Sequence, residues 1–311
     1  MFFRIACVLG SLFSLYGGVE ERYPQLFNRK APFVTSVAIG EFGNQLFEAS
    51  AGISLALDNN AQYIHPIDSY EDVFTKFCTP VRKRVCSLFI RAKGIDECAL
   101  PYAPISYKKN IRIKGFFQSY KFFDHHRDEI RDLFAPSPER VSYLKKKYPF
   151  LQTEQVVVGL HIRTYKKDQS TISLKEMYEE HVHCPNLPFI KAAIEYFDGD
   201  PLFVVCSDDI VWAKKALSSI DCRFYFAHDT LLNDFYLLTL CDHCIIGHST
   251  FSWWAAYLNQ NENATIIAPV PFKVKKHISD DIILPEWIQI PRTEDGMIPC
   301  FDGNTPFVKK Q

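Results

Sequence analysis

The sequence predicts a doubly wound α/β fold in two halves, and three observations carry that expectation. Short apolar, β-branched runs recur along the 311-residue chain, alternating with stretches of helical apolar spacing. Several runs turn abruptly polar at their ends, as strands do where their carboxyl ends open into a ligand crevice. A Pro- and Lys-rich stretch, Ala135 to Pro149, interrupts the rhythm midway and marks the boundary between the halves.

In chain order, Arg4 precedes an uncharged stretch, residues 5–18. It falls short of the roughly 20 apolar residues a comfortable span needs. It suits a signal-peptide core, a short anchor or an interfacial helix. The expectation is membrane association, with a cytoplasmic location if the stretch is not an anchor. Residues 20–32 read as a stem. Phe33 to Gly40 reads as a strand, Glu41 to Gln45 as a tight turn with Asn44 as the helix cap, and Leu46 to Leu57 as the helix. A glycine-bearing loop before a helix suits an anion, because free backbone N–H groups point at it. The loop lacks both the G-x-G-x-x-G spacing of dinucleotide sites and the Gly-Lys-Ser/Thr of a P-loop. Ile111 to Phe117 reads as a strand and Gln118 to Phe134 as an amphipathic helix.

Five strands are expected in the second half: 156–162, 202–206, 223–227, 244–247 and 264–268. Helices are expected near 187–197, 210–219 and 231–241, and from Ser249 onward. The resulting division is 1–32 (apolar segment and stem), 33–150 and 151–295 (two Rossmann-type α/β domains facing a central cleft) and 296–311 (tail). A net charge of −1 carries no basic footprint, so nucleic acid is not an expected partner.

The chemistry concentrates at 156–168. His161 and Arg163 are two apart at a strand end, so they point to one side. An imidazole beside a forked guanidinium suits a phosphate, and a surface ion pair is the plainer alternative. Ser207-Asp208-Asp209 has two open roles: a helix cap, or a carboxylate for a guanine edge. Ser249 to Ser252 opens a helix after a buried strand, a phosphate cradle of hydroxyls and N–H groups. Trp253 and Trp254 are expected to pack.

Other constellations read as structural. Asp198-Gly199-Asp200 precedes its strand rather than following one, so it is a turn and not a metal-holding D-x-D. Cys241 and Cys244 have zinc-like spacing but no second pair, and Cys206 is a core thiol. His125-His126 and His181-x-His183-Cys184 read as surface or loop residues. Cys78, Cys86 and Cys98 are clustered and can pair in an oxidising compartment, with connectivity open.

Taken in order, Gly40-x-Phe42-Gly43-Asn44-Gln45-Leu46-Phe47, Gly115-Phe-Phe-Gln-Ser119, His161-x-Arg163, Ser207-Asp-Asp209 and Ser249-Thr-Phe-Ser-Trp-Trp254 resemble the α-1,2-fucosyltransferases of glycosyltransferase family 11. The resemblance covers about residues 34–290. It implies a GT-B fold with an acceptor-side domain (33–150) and a donor domain (151–295). It implies GDP-fucose as donor, a galactose-containing glycan as acceptor, and inverting transfer to a galactose 2-hydroxyl with no essential metal and no cofactor. Carried onto this chain, Arg163 and Asn44 are the catalytic candidates. Gly43, Asn44, His161, Arg163, Asp208, Asp209, Ser249, Thr250, Phe251 and Ser252 are the donor-binding ones. Two departures from the family pattern stand out: after His161-x-Arg163 the chain has Thr164 where the family has a second arginine and Lys166 where it places an acid, with Asp168 two residues later, and His248 stands where it commonly has Asn. The catalytic base is open among Glu41, Asp68, His125 and Asp168. The alternatives are a fucosyltransferase with a protein or core-glycan acceptor, and a sugar-nucleotide- or glycan-binding module without turnover.

Overall fold

The computed structural model describes residues 18–66, 70–78, 102–164, 187–270, 272 and 281–291. The apolar stretch 5–17, Asp68, Cys86, Cys98, Lys166, Asp168 and the 181–184 cluster lie outside the described residues. Among the described residues, no helix is long and apolar enough to cross a membrane. The chain divides into two units at Phe134–Ala135. The division falls at the start of the Pro- and Lys-rich stretch, so the whole of that stretch belongs to the second unit rather than closing the first.

The first unit is built on a three-stranded parallel sheet, β1 (Phe33–Ser36), β2 (Gln62–Ile64) and β3 (Ile111–Ile113), in the order β2-β1-β3. The Phe42–Asp58 helix connects β1 to β2. Its residues from Gln45 to Ala56 are all buried. Small side chains make that depth possible: a Cβ on Gly52 would sit 2.5 Å from the Tyr63 ring, so the ring lies directly on the helix backbone. Tyr63 carries its hydroxyl to Ser36 Oγ at 2.8 Å, and His65 stacks on Phe74 at 4.1 Å between ring centroids.

Two expectations for this unit are corrected. The helix begins at Phe42 with Glu41 at the cap position, so Asn44 lies inside the first turn and is not the cap. The helix expected over 118–134 is two 3₁₀ turns (Tyr120–Phe122, Asp124–His126) followed by a helix over Arg127–Leu133. Between the turns, Phe123 leaves helical geometry (φ −147°, ψ −5°) and packs its ring 5.9 Å from Phe47. Burying that ring overrides the helical period.

The second unit is a six-stranded, all-parallel sheet: β4 (Val157–Ile162), β5 (Leu202–Ser207), β6 (Arg223–Phe226), β7 (His243–Ile245), β8 (Ile266–Val270) and β9 (Ile288–Pro291). Their order is β6-β5-β4-β7-β8-β9. Counted from β4 this is the 3-2-1-4-5-6 order of the Rossmann fold, which reverses direction between β4 and β7. β4 is buried at every residue, as a central parallel strand covered on both faces must be. Helices Leu187–Ile194 and Ile210–Leu217 supply Phe189, Ile190, Ala193, Ala213 and Leu217 to the core over Val158, Leu160 and Val205. Five strands match expectation within a few residues. The sixth, β9, alternates half-buried and exposed residues over only four positions. An edge strand that short gives too weak a periodic signal to be read from sequence.

Candidate functional site

The reversal point of the second sheet gathers three loops at the carboxyl ends of β4, β5 and β7, where open α/β sheets bind ligands. β4 delivers His161, Arg163 and Thr164. β5 delivers Ser207 and Asp208. β7 delivers Gly247 to Ser249, leading into the Thr250–Tyr257 helix.

Asp208 ties the first two loops together. Its Oδ1 accepts from the Thr164 backbone N–H at 2.6 Å and from the Thr164 hydroxyl at 3.0 Å. Its Oδ2 pairs with Arg163 Nη1 at 3.3 Å. The guanidinium is therefore held from one side by a fixed carboxylate. The plainer reading, an ion pair, is met, but at a partly buried strand end rather than on open surface. Asp209 is the cap of its helix, accepting from Trp212 N at 3.1 Å. The capping role expected of the acidic pair is thus seen at Asp209.

His161 precedes Arg163 by two residues at the end of the same strand and is buried. Its ring is 5.0 Å from the Phe251 ring, which is in turn 5.3 Å from Phe235. A Cβ on Gly247 would come within 2.9 Å of the His161 carbonyl oxygen, so the β7 loop crosses β4 closer than any side chain allows. This contact brings the helix start against the β4 end. Ser249 caps the helix, its Oγ accepting from Phe251 N at 3.3 Å. The Ser252 hydroxyl turns back onto the Ser249 and Gly247 carbonyls at 3.0 and 3.3 Å and is nearly fully buried, so it braces the loop from behind. Thr250 and Phe251 are half-buried at the helix start. Trp253 and Trp254 are fully buried, and Trp253 donates its indole N–H to the Ile282 carbonyl at 2.6 Å.

In the first unit, Gly40 (φ +72°) makes the left-handed turn that Gly43 and Asn44 follow. A Cβ on Gly40 would lie 2.4 Å from Asn44 Nδ2. Asn44 Oδ1 accepts from Gln118 Nε2 at 2.9 Å, and Gln45 Nε2 donates to the Gly40 carbonyl at 3.0 Å. One helical turn on, buried Glu48 accepts from Ile39 N at 2.9 Å, and burial raises its carboxyl to about 8. A protonated acid therefore backs the loop. Glu41 accepts from the Tyr70 hydroxyl at 3.0 Å.

The structure thus groups His161, Arg163, Asp208 and Phe251 in the second unit, with Ser249 and Thr250 at the start of the adjoining helix, and pairs Asn44 with Gln118 in the first. Sequence reading passed over Gly247 and Glu48 as site residues and marked Thr164 only as a departure from the family pattern. Gly247 directly follows a buried apolar run and Thr164 stands two residues past one, which is the signal that points to them. Asp198-Gly199-Asp200 is a turn with Gly199 at φ +80°. Cys206, Cys241 and Cys244 are buried free thiols, as expected of structural cysteines.

The site's electrostatics favour an anion. Burial lowers the His161 pKa to about 4, opposed by the Asp208 carboxylate and helped by Arg163. His161 is neutral at pH 7, so Arg163 and the helix N-terminus supply the positive potential. The unfolded imidazole binds its proton near pH 6.5 and the folded one does not until about 4, so stability rises with pH across this window. The loss on acidification should begin below about pH 6.5 and grow as the pH falls toward 4. Denaturant unfolding of the wild type and of His161→Asn at several pH values checks this. Superimposable pH profiles would show that His161 is not buried neutral.

The glycosyl transferase family 11 model matches residues 96–291. The chain is 26% identical over 283 residues to an α-1,2-colitosyltransferase of Escherichia coli, covering 81% of this chain and 96% of the relative. It is 26% identical over 272 residues to galactoside α-(1,2)-fucosyltransferase 1 of Ateles belzebuth, covering 81% and 73%. Among solved structures it is similar to the fucosyltransferase NodZ from Bradyrhizobium, at 15% identity and a TM-score of 0.48, over 72% of this chain and 92% of that one. With the family model matched over more than half its length, on a stretch that includes the His161–Arg163–Asp208 site, the chain belongs to glycosyl transferase family 11.

Proposed function

We propose that the protein transfers L-fucose from GDP-fucose to the 2-hydroxyl of a galactoside, with inversion and without an essential metal. Family membership supports the transfer chemistry. The observation that carries the assignment of residues is Arg163, clamped by Asp208 at the reversal point beside a capped helix N-terminus. Breaking the fucose–phosphate bond leaves negative charge on the β-phosphate. A guanidinium and backbone N–H groups fixed before the reaction stabilise that charge without reorganising. In this reading Arg163 receives the phosphate, Ser249, Thr250 and Phe251 line it, and Asp208 positions Arg163. His161 and Asp209 stand toward the base. Asn44 and Gly43 keep the donor-binding role their motif implies, with Asn44 an uncharged hydrogen-bond donor oriented by Gln118.

Incubation with GDP-fucose and a panel of galactosides, followed by linkage analysis, tests the proposal. The expected product is an α-1,2-linked fucoside, formed equally well in EDTA. Fucose on another hydroxyl or on a protein would assign a different acceptor. Nucleotide binding with no release of fucose from the donor would assign a binding module. The Escherichia coli relative favours one further reading, colitose as the transferred sugar. Competition between the two nucleotide-linked sugars separates it from fucose transfer.

A further inference from the structure

The Phe42–Asp58 helix ends on an acid that meets two histidines from a turn 67 and 68 residues later in sequence. His125 Nε2 lies 3.2 Å from both Asp58 oxygens, and His126 Nε2 lies 2.9 Å from Oδ1. The Ser54 hydroxyl, one turn earlier on the helix, lies 3.1 Å from the same His125 nitrogen. We propose that Asp58, His125 and His126 form a binding site for a borderline transition-metal dication of the zinc type. The site is independent of the donor chemistry proposed above.

Geometry is the first argument. One ligand atom from each residue falls within 4.8 Å of the others. Zinc–nitrogen and zinc–oxygen bonds of about 2.0–2.1 Å place neighbouring tetrahedral ligands roughly 3.3 Å apart. The nitrogen–carboxylate separations are close to that edge length, and the three ligand atoms are near enough together for one cation to reach all of them. The second argument is crowding. His125 Nε2 faces three oxygens within 3.2 Å and carries at most one hydrogen, whereas a cation satisfies the carboxylate and both imidazoles at once.

Charge is the third argument. Asp58 is the last residue of a 17-residue helix, where the backbone carbonyls already present partial negative charge. A carboxylate there is unfavourable alone and favourable beside a cation. Glu129 completes the pattern: its Oε1 lies 3.5 Å from His126 Nδ1, on the far side of the ring. A carboxylate behind a metal-bound imidazole fixes its tautomer and raises its basicity. Two imidazoles and one carboxylate suit zinc, cobalt or nickel over magnesium or calcium, with water in the open fourth position.

The test is titration of the full-length, chelator-treated protein with Co²⁺ and then Zn²⁺. Visible absorption reads the coordination geometry, and thermal unfolding reads the effect on stability. Expected are tetrahedral cobalt bands, their displacement by zinc, a higher melting temperature with zinc, and weaker binding as the imidazoles protonate. His125→Ala/His126→Ala and, separately, Asp58→Asn should weaken binding at least about tenfold and abolish the thermal shift. Asp58→Asn keeps the side-chain shape, so it serves if the double variant unfolds. Wild-type protein that binds neither ion, or variants that bind as the wild type does, would overturn the site. The proposal is separable from fucose transfer: EDTA should lower the melting temperature of zinc-loaded protein and leave turnover intact.

Discussion

Replacing Arg163 by Lys is expected to lower kcat for fucosyl transfer by about 10²–10³, the usual cost of losing one preorganised donor to a developing oxyanion. Lysine keeps the charge but not the planar fork, and only the fork can pair with Asp208 on one edge while presenting parallel N–H groups on another. The loss should fall on kcat more than on GDP affinity, because the β-phosphate gains charge only as the bond breaks. The melting temperature should move little: lysine keeps a positive charge beside Asp208, and even complete loss of one partly exposed ion pair costs about 1 kcal/mol or less. Asp208→Asn is the companion variant. It leaves Arg163 in place with its clamp weakened, and loses the charge that Thr164 donates to through two hydrogen bonds. If Arg163 served only to hold Asp208, both Arg163→Lys and Asp208→Asn would lose stability and little turnover, Asp208→Asn the more because it also weakens the two Thr164 hydrogen bonds. If Arg163→Lys kept most of the wild-type kcat, the bidentate phosphate role would be wrong.

Gly247→Ala should damage both the fold and the donor site of the second unit. The new Cβ would lie 2.9 Å from the His161 carbonyl oxygen, a backbone atom on the central strand that cannot rotate away. Relief requires the β7 loop to lift off β4, and overpacking of this kind costs about 1–3 kcal/mol. The same displacement moves Ser249 and the helix start it caps, so donor affinity should fall together with stability. Chemical denaturation and calorimetric titration with GDP read the two effects. A variant as stable as the wild type and binding GDP equally would mean that the close crossing does not position the helix.

Much of this site was legible before any fold was known. β4, β5 and β7 are short, nearly uninterrupted apolar runs because a parallel sheet buries both faces of its inner strands. The polar residues that follow such runs therefore stand out as crevice residues. The Ser207–Asp209 run was readable as a cap because a short acceptor side chain just before a helical period satisfies the first free N–H groups, and the structure gives that role to Asp209. What stayed hidden depended on long-range partners. Asn44 looked like a cap because its motif does not show that the helix already starts at Phe42, nor that Gln118 would bond its side chain. The break in the helix after residue 118 follows from burial of Phe123 against Phe47, a contact between distant segments.

The sequence by itself determined which residues are apolar, at what period, and in what order the polar motifs occur. That was enough for parallel α/β architecture, for the polar residues at strand ends and for the family. Only the tertiary structure decided pairings: Arg163 with Asp208, Gly247 over His161, and Asp58 with His125 and His126. The reason is physical. Periodicity and capping are set by neighbours along the chain, whereas an ion pair, a close backbone crossing or a set of metal ligands exists only after distant segments pack to within bonding distance.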